Sequence, residues 1–148
     1  MIGMSDIKQV KVQLNTTITN GEDKDTFELL TNGTLQKKGD TWYLRYDEVH
    51  SDMENVHTIL KWAPGEVFIM RSGKIKMRQR FIKDLMTVGN YESPYGVMQM
   101  LTTSKSMEHV HNEETQEGQM VLVYDLNMNG SDVGNYKMEI TYKEENTQ

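Results

Sequence analysis

The sequence predicts an all-β fold, a single closed antiparallel up-and-down (meander) β-barrel of 8–10 strands. Only one of the 148 residues is alanine, Ala63, whereas 45 are β-branched or aromatic. Alanine favours helices, and β-branched and aromatic side chains favour strands. Apolar and polar residues also alternate with period two along most of the chain, between turn signals. Many long strands with one apolar face favour a closed sheet, because closure removes the unpaired edges.

Each strand of the first half is justified by its own alternation. The alternating apolar-face positions are Val10, Val12, Leu14, Thr16 and Ile18 in the first strand; Phe27, Leu29, Thr31, Gly33 and Leu35 in the second; Trp42, Leu44 and Tyr46 in the third; and Val56, Thr58, Leu60 and Trp62 in the fourth. The stretch 47–54 between the last two is compatible with one turn of helix.

The second half continues the pattern to the end of the chain. The corresponding positions are Phe68 and Met70; Ile75, Met77, Gln79 and Phe81; three segments near 85–93, 96–104 and 107–112; Met120, Leu122, Tyr124, Leu126 and Met128; and Tyr136, Met138, Ile140 and Tyr142. Methionines on this face are interpreted as packing of a curved interior.

Turn residues predict how the strands pair. Gly39-Asp40 is a two-residue hairpin loop that sets Leu35 opposite Leu44. Asn129-Gly130 is typical of a tight turn, but a two-residue loop would mix the two faces. We therefore predict a three-residue loop, or a bulge, that sets Tyr124 opposite Tyr136.

Two further turns complete the predicted meander. Ser72-Gly73 as a two-residue loop sets Met70 opposite Ile75. Ala63-Pro64-Gly65 as a three-residue link sets Leu60 opposite Phe68. Together these two turns place Phe68 and Met70 inside the barrel.

Composition bounds the class of protein. Zero cysteines exclude a disulfide framework and a thiol nucleophile, and fit a reducing compartment. Residues 1–6 lack a secretory pattern, and no apolar run is long enough to span a membrane as a helix. We expect a cytoplasmic protein with one domain, 1–148, an ordered core of about 7–143 and frayed termini.

A cationic stretch runs from Arg71 to Lys83, with six basic residues and no acid. An anion site is one interpretation, and a solvated outer strand face with acids on its neighbour is the favoured one. The candidate anion patch consists of Lys74, Lys76, Arg78 and Arg80, which the predicted hairpin extends to Arg71. An isoelectric point of about 5.2 argues against nucleic-acid binding.

His109 and His111 lie two apart on a strand and therefore share a face. Such a pair could bind a metal ion together. No Asp or Glu occupies a matching position in that strand, so two surface histidines are the favoured interpretation. No metal site is predicted.

Catalytic motifs are absent: the chain contains no G-x-S-x-G, P-loop, H-E-x-x-H or EF-hand pattern. We predict no catalytic residue and no cofactor. The candidate ligand-binding residues are Trp42, Trp62, Arg71, Tyr91 and Tyr95. Arg71 ends a strand, where it could close the barrel or grip a carboxylate, and Gly33 and Gly89 would leave gaps in the interior.

Several blocks resemble one known family. They are Leu35-x-Lys37-Lys38-Gly39-Asp40, Arg71-Ser72-Gly73 with Met77 and Phe81, Tyr91-Glu92-Ser93-Pro94-Tyr95-Gly96, and Tyr124-x-Leu126 before Asn-Gly. From about Ile7 to Tyr142 the chain resembles the YwiB-like family of uncharacterised bacterial β-barrel proteins. The resemblance implies a calycin-like barrel, similar to lipocalins and fatty-acid-binding proteins, in the cytoplasm of Gram-positive-type bacteria. It implies no specific activity.

Three functional hypotheses follow. The first is a non-enzymatic barrel that binds a small apolar or amphipathic ligand inside. The alternative is an interaction module whose cationic face, residues 71–83, binds an acidic protein or RNA. The third is an enzyme with an inward carboxylate or histidine at the barrel mouth.

Overall fold

Ten β-strands follow one another along the chain, in a computed structural model that describes residues 7–49 and 55–145. Their bounds are β1 Ile7–Asn20, β2 Asp23–Lys38, β3 Thr41–Val49, β4 Asn55–Ala63, β5 Glu66–Gly73, β6 Lys76–Phe81, β7 Met86–Ser93, β8 Gly96–Asn112, β9 Glu117–Met128 and β10 Ser131–Glu144. The possible helical turn at 47–54 is absent from 47–49, which belong to β3, and residues 50–54 lie outside the described residues.

Every strand pairs antiparallel with the next, and β1 also pairs with β10, so the sheet closes into a barrel. Leu14, for example, lies opposite Leu29 on one side and Ile140 on the other. The predicted all-β closed meander is therefore confirmed, with ten strands. Within the described ranges, no helix is long and apolar enough to cross a membrane.

Two predicted registers are confirmed. Across Gly39-Asp40, Lys38 faces Thr41 and Leu35 faces Leu44. At the last hairpin, Asn129 and Gly130 both have positive φ, so the tight two-residue turn forms. A bulge between Asp132 and Gly134 then restores the alignment of Tyr124 with Tyr136. The predicted bulge thus allows both the turn and the apolar pairing.

The predicted three-residue link at 63–65 is wrong. Ala63 pairs directly with Glu66, so Pro64 and Gly65 form a two-residue turn. Proline fixes the first turn position and Gly65 has φ +79°, as a type II turn requires. The one-residue difference reverses the faces of β5, since side chains alternate. Val67 and Ile69 are buried in the core, and Phe68 and Met70 are not.

The predicted two-residue turn at Ser72-Gly73 is also wrong. The β5 strand continues until Gly73 pairs with Val56, and the register across to β6 sets Arg71 opposite Met77. Only glycine fits at position 73, because φ is +124° and a Cβ would overlap the Asn55 carbonyl oxygen. Arg71 therefore belongs to the inner face, with Met77, and not to the cationic face.

The predicted segments 96–104 and 107–112 form one strand, β8, interrupted by a bulge between Ser104 and Ser106. The extra residue, Lys105, moves the inward positions from even to odd numbers. Met100 and Ser104 point inward before the bulge, and His109 lies opposite the buried Met120 after it. This bulge carries both β8 histidines to the inner face.

Candidate functional site

The barrel interior has two unlike ends. At the end with the β2–β3, β4–β5 and β8–β9 turns, aromatic rings and histidines fill the space. Towards the end with the β1–β2 and β9–β10 turns lies a cavity of about 650 Å³. Barrels of this size hold either packed side chains or one small ligand, and this barrel combines both. The apolar and aromatic side chains that line the cavity include Leu14, Leu29, Ile69, Met77, Met98, Met100, Leu126, Met128, Met138, Phe27 and Tyr136.

Arg71 is the cation of the cavity wall. Its Nη2 donates hydrogen bonds to both carboxylate oxygens of Glu48, at 2.8 and 2.9 Å. Thr58 Oγ1 donates a third hydrogen bond to Glu48, at 3.0 Å. The side chains of Arg71 and Glu48 are only 23% and 15% exposed, so this ion pair is held largely away from water.

The Nε of Arg71 takes no part in this ion pair. This nitrogen is buried and has no hydrogen-bond partner in the described part of the chain. A guanidinium carries five N–H donors in a planar fork, and Glu48 engages the end of that fork through one nitrogen. A buried N–H without an acceptor is costly to the folded state.

Buried hydroxyl and amide groups surround the ion pair. Tyr46 and Tyr124 both line the cavity, and burial raises the pKa of each phenol well above its usual value. Gln79 Nε2 donates to Thr102 Oγ1 at 3.0 Å, inside the barrel. The Tyr124 ring stacks on Tyr136 with centroids 5.1 Å apart. The inner wall therefore carries a polar cluster within an otherwise apolar lining.

The predicted ligand-binding residues separate in the structure. Arg71 and Tyr91 line the cavity. Trp42 and Trp62 lie opposite each other at the other end of the barrel, away from it. Tyr95 is 98% exposed on the β7–β8 turn, because the turn carries it past the end of the barrel wall. Tyr95 does not face the interior, so its assignment as a cavity residue is wrong.

The glycines do not create the cavity. A Cβ on Gly33 would overlap the carbonyl oxygen of Arg45, and one on Gly89 would overlap that of Arg78. Both positions are places where the neighbouring strand approaches too closely for a side chain. The prediction that Gly33 and Gly89 leave interior gaps is wrong.

The second feature of the interior is a histidine cluster at the filled end. His109 Nε2 and His111 Nδ1 each lie 2.7 Å from the hydroxyl oxygen of Tyr142. Trp42 packs on both rings, at centroid distances of 5.1 and 4.5 Å. The interpretation of these two as surface histidines is therefore wrong, and the reason is the bulge at Lys105.

Burial lowers the pKa of His109 to about 4, with smaller contributions from the neighbouring His111 and Lys37. The imidazole of His109 is consequently neutral at physiological pH. Among the described residues, no group of three or more His, Cys, Asp or Glu side chains is arranged to hold a metal ion.

The cationic strand face points outward. Lys76, Arg78 and Arg80 are exposed on β6, and Lys74 is exposed on the preceding turn. Acids lie beside it: Arg80 pairs with Glu66 on β5, and Lys76 lies opposite Glu92 on β7. This is the arrangement expected of a solvated outer strand face.

The sequence reasoning did not identify Glu48 as a site residue. Leu44 and Tyr46 are inward positions of β3, and continuing their alternation by two residues puts Glu48 on the same face. A carboxylate at an inward position requires a partner, since an unpaired buried charge is costly. The signal was present in the sequence, but its partner Arg71 was assigned to the outer face.

Comparison with known proteins fits this architecture. Residues 12–140 match the family model described as a domain of unknown function, DUF1934. The chain is 31% identical over 134 residues to the uncharacterised β-barrel protein YwiB of Bacillus subtilis (strain 168), which covers 90% of this chain and 92% of that protein.

The likeness extends to three dimensions. The crystal structure of the ywiB protein from Bacillus subtilis superimposes with a TM-score of 0.83 at 29% sequence identity, covering 96% of both chains. The chain therefore belongs to the DUF1934 family of YwiB-like β-barrel proteins.

Proposed function

We propose that the protein binds a small amphipathic molecule in the cavity of about 650 Å³, with a hydrogen-bond-accepting, anionic head group at Arg71. The observation that carries this proposal is the side chain of Arg71, a partly exposed cation in a cavity wall that is otherwise mainly apolar. A barrel packed solid would have excluded such a ligand. Ligand sites in proteins typically measure about 300–1,000 Å³, so the volume is adequate.

The cavity lining has an apolar part and a cationic part, and these predict an apolar body and an anionic head group for the ligand. The methionines Met77, Met98, Met128 and Met138, with Leu14 and Leu29, offer flexible apolar contacts for the body of the molecule. Arg71 offers charge-assisted donation to its head group. Glu48 keeps the guanidinium oriented through Nη2, and the Arg71 side chain stays 23% exposed for contact with the ligand.

Binding is favoured over catalysis by the state of Glu48, an inward carboxylate in the wall of this cavity. Both oxygens of Glu48 accept hydrogen bonds from Arg71, and one also accepts from Thr58. A carboxylate held in this way is poorly placed to remove a proton from a substrate. The proposed role is therefore that of a non-enzymatic carrier or sensor, working in the reducing cytoplasm that the absence of cysteine fits.

The test uses two dyes that share an apolar body. One is 1-anilinonaphthalene-8-sulfonate, which is anionic, and the other is N-phenyl-1-naphthylamine, which is neutral. The wild-type protein is expected to bind the anionic dye at least tenfold more tightly, measured by fluorescence titration. In Arg71→Met this preference is expected to disappear, whereas Arg78→Met on the outer face keeps it.

A second variant keeps the test valid if Arg71→Met folds poorly. Leu29→Trp narrows the cavity without removing a charge, and it is expected to weaken the binding of both dyes at least tenfold. Circular dichroism verifies that each variant is folded. Equal affinity for the two dyes in the wild type, or unchanged binding in both variants, would overturn the proposal.

The alternative function, binding of an acidic protein or RNA by the face at 71–83, is supported by the outward exposure of Lys76 and Arg78. Neighbouring acids reduce that support, because Glu66 and Glu92 lie beside Arg80 and Lys76. An Arg78→Glu, Arg80→Glu variant decides the point. Loss of a salt-sensitive association in that variant would support this function, and an association insensitive to salt would reject it.

A further inference from the structure

We propose that His109, His111 and Tyr142 form a binding site for one transition-metal ion at the filled end of the barrel. This site is separate from the cavity and does not depend on the function proposed for it. Two imidazole nitrogens and one phenol oxygen converge there, and imidazole is a preferred donor for zinc, copper and nickel ions.

Distances support a common metal centre. His109 Nε2 and His111 Nδ1 are each 2.7 Å from Tyr142 Oη. Zinc bonds to nitrogen and oxygen measure about 2.0–2.2 Å, and tetrahedral angles then separate neighbouring donors by roughly 3.3–3.6 Å. Each imidazole nitrogen therefore has to move roughly 0.6–0.9 Å further from the phenol oxygen for an ion to enter between them.

The backbone around the cluster allows this convergence. His111 on β8 and Tyr142 on β10 lie on either side of β9, and both pair with the same residue, Gly118. A Cβ at position 118 would overlap the hydroxyl end of the Tyr142 ring. The absence of a side chain at Gly118 lets the phenol lie across β9 and reach His111.

The outer nitrogen of His111 is the second observation. The His111 side chain is only 7% exposed, and its Nε2 is buried without a hydrogen-bond partner among the described residues. One acid, Glu113, has its Oε2 4.0 Å away. Metal-ligating histidines commonly donate their second N–H to a carboxylate. An ion on Nδ1 would fix the proton on Nε2, where the exposed Glu113 side chain can accept it.

Aromatic rings cover the cluster. Trp42 and Trp62 pack against His109, and Trp42 also covers His111. The charged groups near the cluster are Lys37, whose Nζ lies 5.1 Å from the Trp42 ring centroid, and Glu113. Binding displaces the phenol proton of Tyr142 to solvent, so the ion adds one net positive charge there and Glu113 offsets the charge of Lys37.

The experiment titrates the wild-type protein with Zn²⁺ and, separately, with Cu²⁺, using calorimetry and optical spectroscopy. One ion per chain is expected. Cu²⁺ is expected to quench the fluorescence of the adjacent Trp42 and Trp62, and to give a phenolate charge-transfer band. Calorimetry in buffers of different ionisation enthalpy is expected to show release of about one proton per ion, as metal binding to a phenol requires.

Variants assign the site. His111→Gln is expected to weaken Zn²⁺ binding at least tenfold, and Tyr142→Phe is expected to abolish both the charge-transfer band and the proton release. The control is His57→Gln, which alters an exposed histidine paired with Asp47. This variant should leave Zn²⁺ binding, the charge-transfer band and the proton release unchanged. Absence of a bound ion in the wild type, or an effect of His57→Gln equal to that of His111→Gln, would overturn the proposal. Because the stoichiometry, the quenching and the band are read in the wild type, a poorly folded variant cannot conceal the absence of a bound ion.

Discussion

Arg71 and Glu48 meet inside the barrel, where one guanidinium nitrogen donates to both carboxylate oxygens at 2.8 and 2.9 Å. The first prediction concerns this pair. Arg71→Met leaves the largely buried Glu48 carboxylate without its counter-charge and should cost about 2–4 kcal/mol of unfolding free energy. Adding Glu48→Gln should recover at least about 1 kcal/mol, because the amide carries no charge. Urea denaturation of Arg71→Met, Glu48→Gln and the double variant measures the coupling energy between the two side chains. Strictly additive losses of unfolding free energy would contradict the prediction.

The second prediction concerns the buried hydrogen bond from Gln79 to Thr102. Thr102→Val preserves the shape of the side chain but leaves the Gln79 amide without its acceptor, which should cost about 1–3 kcal/mol. Thr103→Val is the matched control on the opposite face of β8, and it should change stability by less than about 0.5 kcal/mol. Chemical denaturation compares the two variants. Equal losses of stability in the two variants would show that the hydrogen bond between Gln79 and Thr102 does not stabilise the protein.

The third prediction distinguishes a gap from a close approach at Gly33. A methyl group placed in a gap would stabilise the protein, whereas one that overlaps the Arg45 carbonyl oxygen should destabilise it by about 2–4 kcal/mol. Gly39→Ala serves as the comparison, since that position is open but has φ +59°, and should cost about 1–2 kcal/mol. A Gly33→Ala variant that unfolds at a higher temperature than wild type would contradict the structure.

The fourth prediction concerns alkaline pH. Burial raises the pKa of Tyr46 and Tyr124 above that of an exposed phenol, so these groups stay protonated in the folded state when the unfolded chain begins to ionise near pH 10. Stability should be independent of these tyrosines below pH 10 and should fall above it. Each phenol contributes up to about 1.4 kcal/mol per pH unit to that fall.

Denaturation curves between pH 8 and 11.5 measure this effect. Tyr46→Phe and Tyr124→Phe should each reduce the slope above pH 10. Tyr95→Phe, on an exposed turn, should leave the slope unchanged. A slope that none of the buried tyrosines affects would contradict the assignment of raised pKa values.

The alternation of side chains was sufficient to predict the barrel, because a closed meander requires only that successive apolar faces coincide. It also predicted the bulge of the last hairpin, where an Asn-Gly turn and the Tyr124–Tyr136 pairing conflict unless one residue is extra. Strand order, closure and most inward positions therefore follow from local patterns in the sequence.

The polar interior could not be predicted in the same way. It depends on turn lengths and bulges that exchange the inward and outward faces of a strand, and local sequence patterns do not determine these. The two-residue turn at Pro64-Gly65 reverses the faces of β5 and brings Arg71 inside. The bulge at Lys105 does the same for His109 and His111. The three residues misassigned to the surface are Arg71, His109 and His111. Their partners lie far away in the sequence: Glu48 for Arg71, and Tyr142 for both histidines.

The most direct test of the proposed function is the side-chain N–H resonance of Arg71 Nε, followed by nitrogen-15 NMR during titration with 1-anilinonaphthalene-8-sulfonate. The structure predicts a saturable shift of this resonance, with the same dissociation constant as the fluorescence titration, and no shift for Arg78 on the outer face. A dye that binds while the Arg71 resonance stays fixed would contradict the claim that Arg71 reads an anionic head group inside the barrel.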